Sequence, residues 1–238
     1  MICNKLGGGE NVKNIIVLED NPKINKILQD ILINEGYSVF SSFNAFEALK
    51  DFNANSIDCI LTDLMLPIMS GEEFIQEIRK TSNVHIIVIS AKNTDFDKID
   101  ALKKGADDYL IKPFLEDELV IKLDNLFTKK DYNKNTTTFN KKQIIFEEGK
   151  PQIVINSNVI SLTGVEYQIL HLLINENNKV ISREQFLNVL YNHGGEVFDR
   201  VIDVHITNIR KKINKFYPFG LIKTVYGLGY SLVGELDE

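Results

Sequence analysis

Ile57-Asp58-Cys59-Ile60-Leu61-Thr62-Asp63-Leu64-Met65-Leu66-Pro67 runs from a short, mostly apolar segment into one carboxylate and then a proline. Four similar runs flank it: Ile15–Leu18, Tyr37–Phe40, Ile86–Ile89 and Tyr109–Ile111. Amphipathic stretches with helix start signals separate them. Asn21-Pro22 offers an N-cap followed by proline at the first helical position. Ser70 with Glu73 has capping-box spacing, and Asn44 with Glu47 repeats it in weaker form. Strand–helix alternation repeated five times predicts an α/β domain with a doubly wound, five-stranded parallel sheet. Strands that are apolar throughout agree, because helices cover both faces of such a sheet.

Ligands of these sheets bind beyond the carboxyl ends of the strands. Here the predicted strands end in Glu19-Asp20, Asp63, Ser90-Ala91 and Lys112-Pro113. Any one of these is ordinarily a loop residue; together they place three carboxylates, a hydroxyl and a lysine on one rim. Crowded carboxylates raise one another's pKa unless a cation is present. A hard divalent ion such as Mg²⁺, which takes a few carboxylates with waters and phosphate oxygens, resolves the conflict. An aspartate can also act as a nucleophile and form an aspartyl phosphate. The lysine would then neutralise phosphoryl charge, and Ser90 would donate to a phosphate oxygen.

These stretches, with Gly105-Ala106-Asp107-Asp108-Tyr109-Leu110-Ile111-Lys112-Pro113-Phe114, resemble the flavodoxin-like receiver domain of bacterial response regulators over residues 14–127. The resemblance implies that Asp63 accepts phosphate from a sensor histidine kinase. It implies Mg²⁺ held by Asp20, Asp63 and the Met65 backbone carbonyl, with Glu19 acting through water. Ser90 and Tyr109 would be the switch pair, turning inward on phosphorylation. Lys112 would contact the phosphate, ahead of a cis proline at Pro113. Lys98, Asp108, Glu118 and Lys122 fall where relatives form cross-dimer ion pairs, so a homodimer on phosphorylation is expected.

The net charge of −6 is unevenly spread. Residues 1–127 hold 13 Lys+Arg against 21 Asp+Glu, residues 128–138 three against one, and residues 139–238 eleven of each. The acid belongs to the first half, and the second half can still gather cations on one face. No apolar run approaches the roughly 20 residues that span a bilayer, so no membrane role is expected. Cys3 and Cys59 match no metal spacing, and a reduced, cytoplasmic setting fits. Residues 1–12 read as an irregular extension without a signal-peptide core, and Gly7-Gly8-Gly9-Glu10 raises Val12 as an alternative translation start. The domain boundaries expected are 13–127, a polar linker at 128–138, and 139–236.

The second domain begins with strand-like runs at Gln143–Phe146, Gln152–Ile155 and Val159–Leu162. Capping boxes at Thr163/Glu166 and Ser182/Gln185 open two helices. A third, from about Asp199, sets Ile202, Ile206, Ile209 and Ile213 on one face. A closing hairpin surrounds Gly227-Leu228-Gly229. Together these predict an α+β winged helix-turn-helix domain, whose cationic helix can dock in a major groove while its isoleucine face stays packed. A solvated surface helix is the plainer reading of that helix taken alone.

Leu162-Thr163-Gly164-Val165-Glu166-Tyr167, Val180-Ile181-Ser182-Arg183-Glu184-Gln185-Phe186, Asp199–Ile206, Ile209–Lys212 and Thr224–Tyr230 resemble the effector domain of OmpR/PhoB-type transcription factors. Carried over by position, Arg200, His205, Thr207, Asn208, Arg210 and Lys211 map to the recognition helix. Thr224, Tyr226 and Tyr230 map to the wing, and Tyr191 to the loop before the recognition helix. Relatives often carry arginine where this chain has Thr207, Asn208 and Tyr226; asparagine pairs with adenine, which leans the expected site towards A·T. The implied partners are a histidine kinase, double-stranded promoter DNA and RNA polymerase. The chain is expected to be no enzyme beyond its own phosphoryl transfer and hydrolysis. A metal-dependent phosphotransferase is the rival reading, and it leaves the second domain without a role. A DNA-binding regulator that needs no phosphate is another, and the intact acidic pair, Asp63, Ser90 and Lys112 argue against it.

Overall fold

Strands β1 (Asn14–Leu18), β2 (Ser38–Ser42), β3 (Cys59–Thr62), β4 (His85–Ser90) and β5 (Asp108–Ile111) pair in parallel in the order β2-β1-β3-β4-β5. The computed structural model describes residues 12–127, 136–139, 143–176, 179–191 and 200–234. The N-terminal extension with its Val12 alternative, most of the expected linker and the loop before the third helix of the second domain therefore lie largely outside the described residues. Helices α1 (Pro22–Asn34), α2 (Ala45–Ala54), α3 (Gly71–Arg79), α4 (Asp95–Lys104) and α5 (Glu116–Phe127) alternate with the strands.

Side chains alternate across each strand, and both sets are buried. Ile15, Val17, Leu61 and Ile87 pack with Leu28 and Leu32 of α1 and Leu119 and Leu123 of α5. Ile16, Leu18, Ile60 and Val88 pack with Ala48, Phe74, Ile78 and Leu102 of α2, α3 and α4. This two-sided burial is why the strands read as continuous apolar runs. The expected caps are present. Asn21 accepts from the amides of Lys23 and Ile24, and Ser70 and Glu73 form the reciprocal box. Thr94 caps α4 through the amide of Asp97.

The second domain opens with an antiparallel sheet of β6 (Thr136–Phe139), β7 (Ile144–Glu147), β8 (Gln152–Ile155) and β9 (Asn158–Ser161). β6 corrects the linker reading: Thr136, Thr137 and Thr138 pair with Glu147, Phe146 and Ile145. Three β-branched residues beside a waiting edge form a strand despite their polarity. Helices α6 (Gly164–Asn175), α7 (Arg183–Tyr191) and α8 (Arg200–Ile213) follow, then the hairpin β10 (Ile222–Val225) and β11 (Gly229–Leu232). Tyr191 closes α7 rather than lying in a loop. The hairpin is tied to the start of α7 by reciprocal amide bonds between Ile181 and Tyr230, 2.8 and 2.9 Å. Gly229, at φ +152°, makes this possible: a Cβ there would lie 2.0 Å from the Ile181 carbonyl oxygen.

Candidate functional site

The rim is assembled by strand ends and held by buried polar contacts. Asn25 of α1 is fully buried and donates to the carbonyls of Glu19 (2.9 Å) and Ser42 (3.1 Å), fixing the turn after β1. The amide of Asp63 donates to Leu18, joining the ends of β1 and β3. Gly71 approaches so closely that its Cβ position lies 2.0 Å from the Asp63 carbonyl oxygen.

Asp63 is only 7% exposed. One carboxylate oxygen accepts from the Met65 amide at 3.0 Å and the other from Lys112 Nζ at 2.6 Å. Lys112 Nζ also reaches Glu19 at 2.5 Å, so one ammonium bridges two buried carboxylates. Burial pushes the Asp63 carboxyl up, but hydrogen bonds from Lys112 and Met65 outweigh it and hold the pKa below the ordinary value. At Glu19, burial wins over Lys112, and the nearby Asp63 charge adds to it, so that carboxyl is raised. Asp63 is thus the carboxylate kept ionised, as a nucleophile requires.

Ser90 Oγ is fully buried and meets no partner at hydrogen-bond geometry, although it lies close enough to favour the ionised forms of Asp63 and Tyr109. A buried hydroxyl without a partner beside a carboxylate is a donor held in reserve. Tyr109 is already engaged: its hydroxyl donates to the Lys92 carbonyl at 2.7 Å in the loop after β4. Burial pushes its pKa up to about 12. The Lys112–Pro113 bond is cis. Asp20 follows Glu19 in the turn between β1 and α1. It is exposed, and among the described residues no three His, Cys, Asp or Glu side chains are grouped as a metal site.

The second domain's expected DNA face divides in two. Arg200, Thr207, Lys211 and Tyr226 are exposed, Tyr226 at 93%. Tyr230 and Arg210 are corrected to internal struts. Tyr230 is 4% exposed, its hydroxyl donates to Asp203 at 2.6 Å, and the guanidinium groups of Arg183 and Arg210 both lie over its ring, 5.1 and 5.6 Å from the centroid. Arg210 is spent on the Ile222 carbonyl (2.9 Å) and Thr224 hydroxyl (2.9 Å), which also occupies Thr224. Arg183, which no pattern singled out, completes the strut by donating to Asp203 at 2.7 Å.

His205 and Asn208 turn away from solvent because α8 lies against α4 of the first domain. Asn208 donates to the Leu102 carbonyl at 3.5 Å, and Lys212 reaches Asn83 at 3.0 Å while pairing with Glu166 at 2.7 Å. His205 is 2% exposed, a correction to its expected place on an open surface. The same docking covers the expected dimer residues. Lys98, Asp108, Glu118 and Lys122 line one side of a cavity of about 520 Å³ whose other side includes Val165 and Val201. Lys122 pairs with Asp108 of its own chain at 2.9 Å, and Lys98 is buried. A receiver dimer through this face therefore requires the two domains to part first.

Residues 15–124 match the response regulator receiver domain model, and residues 157–232 match that of the C-terminal domain of transcriptional regulatory proteins. The response regulator ArlR of Staphylococcus aureus is 33% identical over 216 residues, covering 91% of this chain and 97% of that protein. DrrB, an OmpR/PhoB homologue from Thermotoga maritima, superposes with a TM-score of 0.51 at 26% identity, covering 94% of this chain and all of DrrB. A mutant of RitR superposes at 0.73 with 24% identity over the same shares, a likeness of fold. The chain belongs to the OmpR/PhoB-type response regulators: a receiver joined to a winged-helix DNA-binding domain, acting as a phosphorylation-dependent transcription regulator. Its receiver implies a histidine kinase partner and its C-terminal domain implies DNA. Among the described residues no helix is long and apolar enough to cross a membrane.

Proposed function

We propose that Asp63 is the phosphoacceptor and that its phosphorylation frees the recognition helix α8 from the receiver. The observation that carries this reading is the bridge from Lys112 to Asp63 and Glu19, which keeps Asp63 ionised in a nearly closed pocket. On phosphoryl transfer from the kinase's phosphohistidine, an Asp63 oxygen forms the new bond to phosphorus and the imidazole leaves. Lys112 neutralises phosphoryl charge, and the unpartnered Ser90 hydroxyl gains an acceptor. The phosphoryl group carries about 1.5–2 negative charges at neutral pH, and because the Asp63 carboxylate gives up its own, the net gain is about 0.5–1.

Mg²⁺ fits the donor chemistry, since Glu19, Asp20, Asp63 and the Met65 carbonyl all offer hard oxygen. When bound, the ion supplies charge neutralisation for the transferred group. Chemistry beyond self-phosphorylation and self-hydrolysis is not part of this reading. The functional units are a receiver at 13–127, a linker ending where β6 begins, and an effector domain running to residue 236. Loop changes around Ser90 and Tyr109 would reach β5 and α4, and α8 rests on α4. Separation exposes Lys98, Asp108, Glu118 and Lys122 for a receiver dimer, and it adds Asn208 to the already exposed Arg200, Thr207 and Lys211 for promoter DNA. RNA polymerase recruitment and a cytoplasmic setting complete the reading.

Replacing Lys112 with methionine tests the pocket. With the ammonium gone, burial and Glu19 act on Asp63 unopposed by their main counterweight, and its pKa rises. Labelling of intact protein by a small acyl phosphate, followed by mass across pH, should be slower, with its midpoint displaced to higher pH. An unchanged midpoint would show that Lys112 does not set the ionisation of the acceptor.

A further inference from the structure

The joint between the domains contains two histidines with buried ring nitrogens that lack partners. His205, on α8, bonds to the Asp107 backbone, while its Nε2 is buried without a hydrogen-bond partner. His85, the first residue of β4, is buried with Nδ1 likewise unpartnered, 3.8 Å from an Asp107 carboxylate oxygen. The α6 N-terminus arrives from the other domain: a Cβ on Gly164 would stand 3.6 Å from His85 Nδ1. The Thr163 hydroxyl that caps α6 also bonds to Asp107. Receiver and effector therefore meet on a neutral pair of imidazoles around one buried carboxylate.

The carboxylates packed closest to the two imidazoles already have cations, while Asp117 and Glu118 of α5 line the cavity beside His85. Asp107 before β5 pairs with Arg79 of α3 at 2.7 Å, and Asp108 of β5 pairs with Lys122 of α5 at 2.9 Å. Glu166 of α6 pairs with Lys212 of α8 at 2.7 Å, and Asp203 of α8 pairs with Arg183 of α7 at 2.7 Å. On α4, Asp100 pairs with Lys104 at 2.6 Å, and Lys98 is buried against the same cavity. The positive end of the α6 dipole points into the same space. A proton added to either imidazole would be an excess charge in a desolvated contact.

We propose that His205 is a proton-operated latch: neutral, it lets the recognition helix rest on the receiver, and on taking a proton from solvent it releases that helix. This rests on the reading that the docked arrangement is the silent one. Burial pushes His205 down to about 4, despite the raising influence of Asp107 and Asp108. Parted from the receiver, the ring returns to water and to its ordinary value near 6.5. The docked pKa is the lower of the two, so docking is fully favoured above the free value and weakens as pH falls below it. Between about pH 7.5 and about pH 5.5 the undocking constant should rise about tenfold for this one group. The released imidazolium also adds a cation to the helix that meets DNA phosphates.

The test is small-angle scattering of the unphosphorylated full-length chain at the two pH values and constant salt, with far-ultraviolet dichroism confirming the fold. The wild type should expand at the lower pH, and His205→Gln should stay compact; His205→Asn serves if the glutamine variant folds poorly. Equal size at both pH values in the wild type, or an acid expansion that survives in a folded His205 variant, overturns the proposal. Adding a small acyl phosphate with Mg²⁺ at the higher pH separates the two readings. Expansion there tests phosphorylation-driven release, and its failure leaves the acid response to be judged on its own.

Discussion

Arg79→Met should cost about 3–5 kcal/mol of receiver stability, because it leaves a buried carboxylate without its ion partner. Arg79 donates to Gly105 (2.8 Å), Val84 (2.6 Å) and Ser82 (3.3 Å) as well as to Asp107. One guanidinium thus ties the end of α3 to the turns before β4 and β5. In the wild type, burial pushes Asp107 up, but Arg79, His85, Thr163 and the Ile86 amide together hold it below its ordinary value. A depressed carboxyl contributes stability above its unfolded pKa and loses it as pH falls through the folded one. Without Arg79, burial governs Asp107 and the slope reverses, so mild acid should partly restore the variant. Thermal melts at neutral and mildly acid pH should show a fall of more than about 10 °C at neutral pH, smaller in acid. A loss under about 1 kcal/mol would mean that Asp107 finds another partner.

Gly71→Ala should slow phosphorylation of Asp63 about a hundredfold, the scale of penalty for shifting a reacting group by an ångström. The new Cβ would meet the Asp63 carbonyl oxygen at 2.0 Å, Leu64 Cα at 2.7 Å and the Asp63 carbonyl carbon at 2.9 Å. All three are backbone atoms, so the strand end carrying the nucleophile has to move. The stability loss should be about 1–3 kcal/mol, as for overpacked cores. The rate of labelling by a small acyl phosphate checks this, and a wild-type rate would show that the backbone at Asp63 is free to give.

The parallel sheet was legible because its strands are covered on both faces, so Ile15–Leu18 and Ile86–Ile89 stand out as uninterrupted apolar runs. The helix starts were legible because Ser70, Thr163 and Asn21 act within three residues of themselves. β6 was hidden because Thr136–Thr138 owe their strand to β7, not to a local pattern. Glu19, Asp63, Ser90 and Lys112 were legible as one rim because each ends or directly follows a strand of the parallel sheet, but which side chains touch could not be read from position alone. Tyr230 and Arg210 misled for a related reason. Residues that suit DNA, an aromatic ring and a guanidinium, suit an internal stack equally well. The interdomain joint had no local signature at all, since Arg79, His85, Asp107, Thr163 and His205 come from five separate elements and loops.

Phosphate on Asp63 freeing α8 for DNA is the claim on which the rest depends. The most direct measurement is the affinity of the full chain for a duplex selected from a random library, with and without a small acyl phosphate and Mg²⁺, in wild type and Asp63→Asn. Wild-type binding should tighten at least about tenfold, within the usual span of allosteric coupling, while the asparagine variant stays at its resting affinity. Equal tightening in the variant, or none in a wild type shown by mass to carry the phosphate, would contradict the account.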